Sequence, residues 1–358
     1  MDKRKFVVAA GGTGGHIIPA LSICKELAAR GADILFVGNR NSMEEKLVKE
    51  AGIEFRSINS QKFYRSFTFK HLLFPFRLFK SISDSRKIIS EFKPDAFIGT
   101  GGFVSGPVGY AAHLKKIPIF LQEQNSFPGV TTKILSKYAS MIFLGNAGAA
   151  KHLKTDKVVV SGNPINTFVA EERAELDYEK YGLRSDSKKI FLFGGSQGSV
   201  ILNKSFFPII DDLLKSGFEI IWQIGKFSYK DFYPEVKGKK GIYAFDFTNE
   251  MGKILNSVDL VIARAGALSL AEIETKKVPS ILVPLPSAAE NHQYFNAMEL
   301  VNKKEAILLE QKDLTPASLL AKIEQIKNNI ELMKENFGDS IHKNASIEIT
   351  KQILKHFE

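Results

Sequence analysis

The stretch FVVAAGGTGGHIIPALSI, residues 6–23, joins an apolar run to a glycine-rich loop, a histidine and a helical pattern. This order predicts a strand that turns sharply into a helix, with a backbone that a ligand can approach closely. The loop is not the phosphate loop GxxxxGK[ST], because no lysine follows, and it is not a clean GxGxxG dinucleotide fingerprint. The loop alone therefore identifies neither its ligand nor the role of its histidine.

Short apolar runs alternate with helical patterns along the whole sequence. Strands are predicted at 6–10, 33–37, 96–99, 117–121 and 141–144 in the first half, and at 189–193, 219–223, 241–245, 260–263 and 280–284 in the second. Helical stretches such as 19–30 and 43–51 separate them. Such a βαβ series predicts an α/β fold with mainly parallel sheets and helices on both faces.

The length of 358 residues favours two domains. The turn signal SGNPIN, residues 161–166, places a boundary between domains 1–162 and 163–340. We therefore expect two Rossmann-like, parallel-sheet domains facing a cleft. Residues 341–358 form an amphipathic helical pattern. The sequence does not identify where this helix docks, and a return to the N-terminal domain is one option.

Charge is divided unevenly along the chain. Residues 1–160 carry 24 Lys+Arg and 12 Asp+Glu, and the remainder carries 25 and 27, so the net charges are +12 and −2. The basic half can attract nucleic acid, an anionic membrane or a phosphorylated substrate. Cys24 has no disulfide partner and falls at an apolar helix position, which predicts a core thiol in a reducing compartment. No signal peptide or run of membrane-spanning length is found in the sequence, which predicts a cytosolic protein.

Glycine loops recur where predicted strands end. GGTGGH (11–16) follows the first strand, GTGGFVSGP (99–107) follows strand 96–99, and GGSQGS (194–199) follows the first strand of the second half. Ligands of open α/β sheets bind at the carboxyl ends of strands, where glycine lets N–H groups approach an anion. Three such loops favour phosphate binding over mere tight turns.

His16 is the first candidate for acid–base chemistry, because it follows a glycine loop near a helix N-terminus. There the helix dipole disfavours the imidazolium form, so a neutral base is plausible, although a purely structural capping histidine fits the same spacing. In the second half, Glu272 stands in the second turn of a helix, where it can accept hydrogen bonds from a ribose diol or simply face solvent. The polar run NHQYFNA (291–297) has donors and acceptors that could bind sugar hydroxyls, although an ordinary polar helix N-terminus has the same pattern. The spacing of histidines and cysteine supports no metal site.

The ordered motifs GGTGGH, GTGGFVSGP, QEQNSFPG (122–129), SGNPIN, GGSQGS, RAGALSLAE (264–272) and NHQYFNA together resemble the MurG-type glycosyltransferases of peptidoglycan synthesis. The resemblance runs from about residue 5 to residue 300. It implies a GT-B fold and transfer of N-acetylglucosamine from UDP-N-acetylglucosamine to the C4 hydroxyl of the muramoyl sugar in lipid I, with inversion. We expect no cofactor and no metal.

The resemblance also implies roles for matching residues. His16 is the preferred general base, with Glu123 as an alternative or assisting group. The implied donor-binding set is Thr13, Gly14, Gly15, Asn125, Asn166, Ser196, Gln197, Thr248, Ala267, Leu268, Ser269, Glu272, Gln293 and Asn296. The implied acceptor diphosphate loops comprise Gly11, Gly12, Thr13, Gly101, Gly102 and Phe103. Many members have arginine where this chain has Asn166, so that contact differs here.

Residues 60–90 hold seven Lys+Arg, one acidic residue and six phenylalanines. Apolar and basic side chains so mixed suit the headgroup region of an anionic bilayer, on the cytoplasmic face of the plasma (inner) membrane, where the protein would be peripheral. The expected membrane patch comprises Lys70, Leu72, Leu73, Phe74, Phe76, Arg77, Phe79 and Lys80. A helix buried wholly inside the domain is the alternative. Nucleic acid fits less well, since clustered aliphatic side chains have no base to stack on.

The expected partners are therefore UDP-N-acetylglucosamine, lipid I and the anionic membrane surface, without nucleic acid. Two alternatives stay open. A UDP-N-acetylglucosamine 2-epimerase would share the two-domain plan but has no need of the basic apolar segment. A non-catalytic nucleotide-sugar binder would retain the donor loops.

Overall fold

The computed structural model of the protein describes residues 3–61 and 74–358. The chain divides into two compact units, Met1–Asn166 with Ile341–Glu358, and Thr167–Ser340. The strands are β1 Lys5–Ala9, β2 Asp33–Asn39, β3 Glu54–Ile58, β4 Ala96–Gly99, β5 Ile119–Glu123, β6 Met141–Leu144, β7 Val158–Val160, β8 Lys188–Phe193, β9 Phe218–Gln223, β10 Ile242–Phe245, β11 Leu260–Ala263, β12 Ser280–Leu282 and β13 Ala306–Leu308.

The α-helices alternate with these strands. They are α1 Gly14–Ala29, α2 Met43–Glu50, α3 Phe74–Phe92, α4 Gly102–Leu114, α5 Val130–Leu135, α6 Thr167–Glu171, α7 Val200–Phe206, α8 Ile210–Lys215, α9 Tyr229–Val236, α10 Met251–Asn256, α11 Ala267–Thr275, α12 His292–Asn302, α13 Pro316–Lys327, α14 Ile330–Glu335 and α15 Ala345–Lys355. Short 3₁₀ segments occur in several of the connections.

Both sheets are parallel and share one strand order. The first runs β3-β2-β1-β4-β5-β6-β7 and the second runs β10-β9-β8-β11-β12-β13. In each unit the chain starts in the middle, moves to one edge, and then returns to the other side of the first strand. Ligands of such sheets bind at this switch point, beyond the carboxyl ends of the two central strands. The switch points lie between β1 and β4 and between β8 and β11.

The apolar run that opens the chain is buried on both sides of the first sheet. Along β1, Phe6 and Val8 contribute to one core cluster, and Val7 and Ala9 contribute to the other. This division follows from the alternation of side chains along a strand, and burial on both faces requires a continuous apolar sequence. Cys24 is buried in the cluster that contains Phe6, and desolvation raises the pKa of its thiol.

The terminal helix α15 belongs to the first unit. Its Ile349 and Ile353 are fully buried in the core cluster that also contains Phe6. Phe357, just beyond the helix, packs edge-on against Phe6 and Phe120. The last residues of the chain therefore complete the core beneath α1.

The sheets differ from the sequence-based prediction mainly at their edges. The central strands lie within two residues of the predicted bounds, the largest shift being β5, predicted at 117–121. The edge strands β3, β7 and β13 were not predicted. Edge strands need no continuous apolar run: β3 has the sequence EFRSI and is only partly buried, and β7 and β13 have three residues each.

Candidate active site

The loop that follows β1 lies against the loop that follows β4, at the switch point of the first sheet. Gly102 has φ +80°, and a Cβ added to it would overlap the carbonyl oxygen of Gly11. A Cβ on Gly101 would likewise meet the His16 ring at 2.8 Å from Nδ1. The two loops therefore contact each other through backbone that only glycine allows, and His16 is held at this contact.

His16 lies in the first turn of α1, and its ring is fixed by two oxygen atoms. Nδ1 is 3.1 Å from the carbonyl oxygen of Thr100 and 2.9 Å from Oε1 of Gln124. Both atoms are acceptors, so Nδ1 carries the proton in the neutral ring. The lone pair is then on Nε2. His16 is thus held in the tautomer that a general base acting through Nε2 requires.

The orientation of the Gln124 amide follows from a buried network anchored on backbone. Asn163 Nδ2 donates to the Gln124 carbonyl oxygen at 3.0 Å, which turns Asn163 Oδ1 toward Gln122 Nε2 at 3.1 Å. Gln122 Oε1 then accepts from Gln124 Nε2, which also donates to the Thr100 carbonyl oxygen at 2.8 Å. This leaves Gln124 Oε1 facing His16. The backbone N–H of Asn163 in turn donates to His342 Nδ1 at 2.8 Å.

Glu123, at the end of β5, is buried and engaged within its own loop. Oε1 accepts from the Asn125 backbone and side chain, both at 3.1 Å. Oε2 accepts from the Gly129 N–H at 3.0 Å and from Thr132 Oγ1 at 2.6 Å. A carboxylate with both oxygens so occupied holds the loop in place, and it is a weaker candidate for the base than His16.

The structure brings the predicted residues of the first unit together at one edge of its sheet. Gly11, Gly12, Thr13, Gly14 and Gly15 follow β1, Gly101, Gly102 and Phe103 follow β4, and Glu123 and Asn125 end or follow β5. Asn166 stands apart from these loops in sequence, at the end of the unit, and is exposed.

In the second unit, GGSQGS follows β8 and RAGALS follows β11, again at the switch point. Ser196 and Gln197 are exposed at the tip of their loop. Helix α11 begins at Ala267 after the N-cap Gly266, which supplies no side-chain hydrogen bond. The N–H groups of the first turn, at Ala267, Leu268 and Ser269, therefore point out of the helix end with its positive dipole, as an anion site requires.

Glu272 stands one turn further along α11. Desolvation raises the pKa of its carboxyl from 4.5 to about 7, and no charged neighbour contributes to the shift. Within the described residues, no group donates a hydrogen bond to its carboxylate. The carboxylate is thus placed where two hydroxyl groups of a ligand could donate to it.

The other predicted contacts of this unit follow β10 and β12. Gln293 Oε1 accepts from the Leu285 N–H at 2.9 Å, and across residues 3–61 and 74–358 no acceptor is bound to its NH₂ group, which is therefore available to a ligand. Asn296 is buried, and its Nδ2 donates to the Ala265 carbonyl oxygen at 3.3 Å, which ties α12 to the loop before α11. Thr248 follows β10, where its Oγ1 accepts from the Glu250 N–H at 2.9 Å.

Comparison with known proteins identifies the family. The model of the glycosyltransferase family 28 N-terminal domain matches residues 6–144, and that of the family 28 C-terminal domain matches residues 189–353. The chain is 36% identical over 336 residues to the UDP-N-acetylglucosamine–N-acetylmuramyl-(pentapeptide) pyrophosphoryl-undecaprenol N-acetylglucosamine transferase of Bacillus subtilis, covering 92% of this chain and 93% of that protein. The chain is a MurG-type glycosyltransferase of family 28.

Solved structures agree with this membership and with the GT-B fold. The crystal structure of MurG from Acinetobacter baumannii superposes with a TM-score of 0.78 and 27% identity, covering 98% of this chain and 99% of that one. The UDP-N-acetylglucosamine 2-epimerase of Neisseria meningitidis superposes with a TM-score of 0.68 at 15% identity, covering 99% and 100% of the two chains. At that identity the likeness shows the fold alone. The family favours the transferase over the epimerase alternative.

The MurG-type chain exposes apolar side chains at the start of α3. Phe76 is 76% exposed and Phe79 is 75% exposed, and Arg77 and Lys80 beside them are also exposed. Phe74 begins the helix, whereas the expected patch residues Lys70, Leu72 and Leu73 lie outside the described residues. None of the helices in the described part of the chain combines the length and the hydropathy that a membrane-spanning segment needs.

Two features of the MurG-type site were missed in the sequence. Gln124 and Thr100 together fix the His16 ring, and Arg264 joins two loops of the second unit; none of the three is among the sequence-predicted site residues. The QEQN run did carry a signal, because Gln122 and Gln124 are polar residues two apart at the end of a buried strand. Over residues 3–61 and 74–358, no group of three His, Cys, Asp or Glu side chains is arranged to hold a metal ion.

Proposed function

We propose that this chain transfers N-acetylglucosamine from UDP-N-acetylglucosamine to the C4 hydroxyl of the muramoyl sugar of lipid I, forming lipid II with inversion at the anomeric carbon. The family and the names of its relatives support the substrates. The observation that carries the chemistry is the His16 ring, whose Nδ1 is bound to two acceptors so that Nε2 offers a lone pair.

The donor is assigned to the second unit. The diphosphate lies against the first turn of α11 and the GGSQGS loop, where Ser196, Gln197, Ala267, Leu268 and Ser269 provide donors. Glu272 accepts from the ribose hydroxyls, Thr248 lies beside the uracil, and Gln293 and Asn296 bind the sugar. Asn166 lacks the charge and reach of the arginine found in many relatives and contributes a weaker contact.

The acceptor is assigned to the first unit. Its diphosphate lies against the paired glycine loops, residues 11–13 and 101–103, whose backbone N–H groups suit an anion. Thr13, Gly14, Gly15 and Asn125 contact the reacting sugars.

In the reaction, His16 Nε2 takes the proton of the C4 hydroxyl as the oxygen attacks the anomeric carbon. The bond from that carbon to the UDP oxygen breaks on the opposite face. The departing charge is stabilised by the helix α11 dipole and the N–H groups at its start, which are already oriented before reaction. The His16 imidazolium retains its Nδ1–H···O bonds to Thr100 and Gln124.

The membrane surface is assigned to the start of α3. Exposed Phe76 and Phe79 insert between anionic headgroups while Arg77 and Lys80 bind them, so the protein docks peripherally on the cytoplasmic face where lipid I is presented. Each basic residue near such a surface contributes about 1 kcal/mol. The net charge of +12 over residues 1–160 acts in the same direction.

The test is a transfer assay with purified full-length protein, UDP-[¹⁴C]N-acetylglucosamine and a lipid I analogue, in EDTA. Label in the lipid product is expected. No label in the lipid would refute the transferase, and conversion of the donor to UDP-N-acetylmannosamine would favour the epimerase. Activity lost in chelator and restored by a divalent ion would refute only the metal-independent mechanism.

A further inference from the structure

Arg264 is a buried cation at the carboxyl edge of the second sheet, and all of its hydrogen-bond acceptors are neutral. The residue directly follows β11 and is 7% exposed. Nε and Nη2 donate to Ser199 Oγ at 3.2 and 3.0 Å. Nη1 donates to the carbonyl oxygens of Val283 and Pro284 at 3.1 and 3.2 Å, and Nη2 donates to Gln311 Oε1 at 2.7 Å.

These contacts use all five N–H groups of the guanidinium. They satisfy its geometry but leave its charge unbalanced, because within the described residues no carboxylate lies at salt-bridge distance from Arg264. Burial lowers its pKa to about 10, with desolvation as the cause. A buried charge without a partner of opposite sign is costly, so the charge itself needs an explanation beyond the hydrogen bonds that hold the loops.

The position of the guanidinium supplies a reason for the charge. Ser199 is the last residue of the GGSQGS loop, and Gly266, two residues beyond Arg264, is the N-cap of α11. Arg264 therefore bridges the loops after β8 and β11, the two strands that flank the switch point. Its charge adds to the positive end of α11 at the place where ligands of such sheets bind.

We propose that Arg264 is a positioning residue for the donor: it holds the GGSQGS loop through Ser199 and places a fixed positive charge beneath the diphosphate of the nucleotide sugar. Arg264 acts through the electric field of its charge and through the position of the loop, since its own N–H groups are already hydrogen-bonded to the protein. This inference rests on the proposed function, because the anion that balances the charge is the diphosphate of the donor.

The test compares the binding of UDP and uridine, which differ by the diphosphate, to the full-length protein by calorimetry. Arg264→Gln should weaken UDP binding about tenfold or more, equivalent to about 1.4 kcal/mol, and leave uridine binding nearly unchanged. Arg264→Lys retains the charge and should keep most of the preference for UDP. Lys215→Gln is the matched control, because it removes one exposed positive charge at the end of α8, on the opposite edge of the sheet.

Unchanged UDP binding by Arg264→Gln would overturn the proposal. An equal loss of UDP and uridine binding would also overturn it, since that pattern means a scaffold role alone. If the wild-type protein binds no UDP, the proposed donor site itself fails, which is a separate result.

A measurement on the wild-type protein covers the case in which the variants do not fold. The Arg264 Nε–H is buried and hydrogen-bonded, so it should give a slowly exchanging NMR signal. That signal should shift on addition of UDP and not of uridine. A signal whose chemical shift changes with neither ligand would contradict the proposal.

Discussion

Glu272 predicts that donor binding depends on pH. In the free protein its pKa is about 7, because the carboxyl is desolvated without a compensating cation or donor. Two ribose hydroxyls donating to the carboxylate would stabilise the ionised form and lower the pKa on binding. Binding therefore releases a proton, and affinity rises as the pH increases through 7.

The magnitude follows from the pKa of the free protein. A group with a pKa of about 7 is ~9% ionised at pH 6 and ~91% ionised at pH 8. If only the ionised form binds the ribose, the affinity for UDP-N-acetylglucosamine should rise about tenfold between these values, or about 1.4 kcal/mol. The nucleotide sugar suits this experiment, since its diphosphate is esterified at both ends and keeps its charge over the range.

The assay is calorimetry at pH 6, 7 and 8 in buffers of different ionisation enthalpy, which counts the protons released. Glu272→Gln should bind weakly at every pH and show no slope. Glu274→Gln is a matched control on the same helix, where Glu274 pairs with Lys303 at 2.9 Å, and it should keep the slope of the wild type. A wild-type affinity that does not change with pH, or a slope that survives in Glu272→Gln, would refute the assignment.

Four further predictions follow from the described contacts. His16→Gln should lower kcat about a hundredfold or more while the UDP-N-acetylglucosamine affinity stays within a few-fold; full turnover would remove His16 as the base. Gln124→Met should remove one of the two Nδ1 acceptors, while the Thr100 carbonyl oxygen remains, and should lower kcat about tenfold; ¹⁵N spectra should then show a smaller share of the Nδ1–H tautomer in the neutral His16. Phe76→Ser with Phe79→Ser should weaken binding to anionic vesicles about tenfold or more in sedimentation assays, with the folded Tm unchanged. Glu305 is buried, one of its carboxylate oxygens has no hydrogen-bond partner among the described residues, and desolvation followed by repulsion from a neighbouring carboxylate raises its pKa to about 7. Its stability contribution is lost as pH rises from 4.5 through 7, so Glu305→Gln should raise the free energy of unfolding by about 3 kcal/mol at pH 8 and by little at pH 4.

The sequence predicted the central strands well because their burial on both faces requires apolar runs that are visible without a structure. The edge strands β3 and β7 were missed for the complementary reason: Glu54–Ile58 has polar residues at three of its five positions without regular alternation, and Val158–Val160 is too short to be recognised. Motifs located the candidate site because glycine loops at strand ends are local signals. Their order along the chain and the strand order of the sheet place each pair of loops at a switch point.

Contacts between distant loops could not be predicted from local patterns. Gln124 lies 108 residues from His16, and Ser199 lies 65 residues from Arg264. Nothing near His16 in the sequence indicates which ring nitrogen carries the proton. That depends on a network running through Gln122 and Asn163, whose amide orientations are set by a single backbone carbonyl.

The two units solve the same structural problem in different ways, and the difference matches the roles proposed for them. Each must hold two loops together at a switch point. In the first unit the loops meet through glycine backbone and neutral amides, so in the described part of the chain the hydrogen-bond partners of His16, the proposed base, are neutral. In the second unit a guanidinium joins the loops. Its fixed positive charge would disfavour the imidazolium that a histidine base forms when it takes a proton, but it favours a diphosphate and its departing charge. In the proposed mechanism, the choice of residue at each junction therefore separates proton removal from leaving-group stabilisation within one fold used twice.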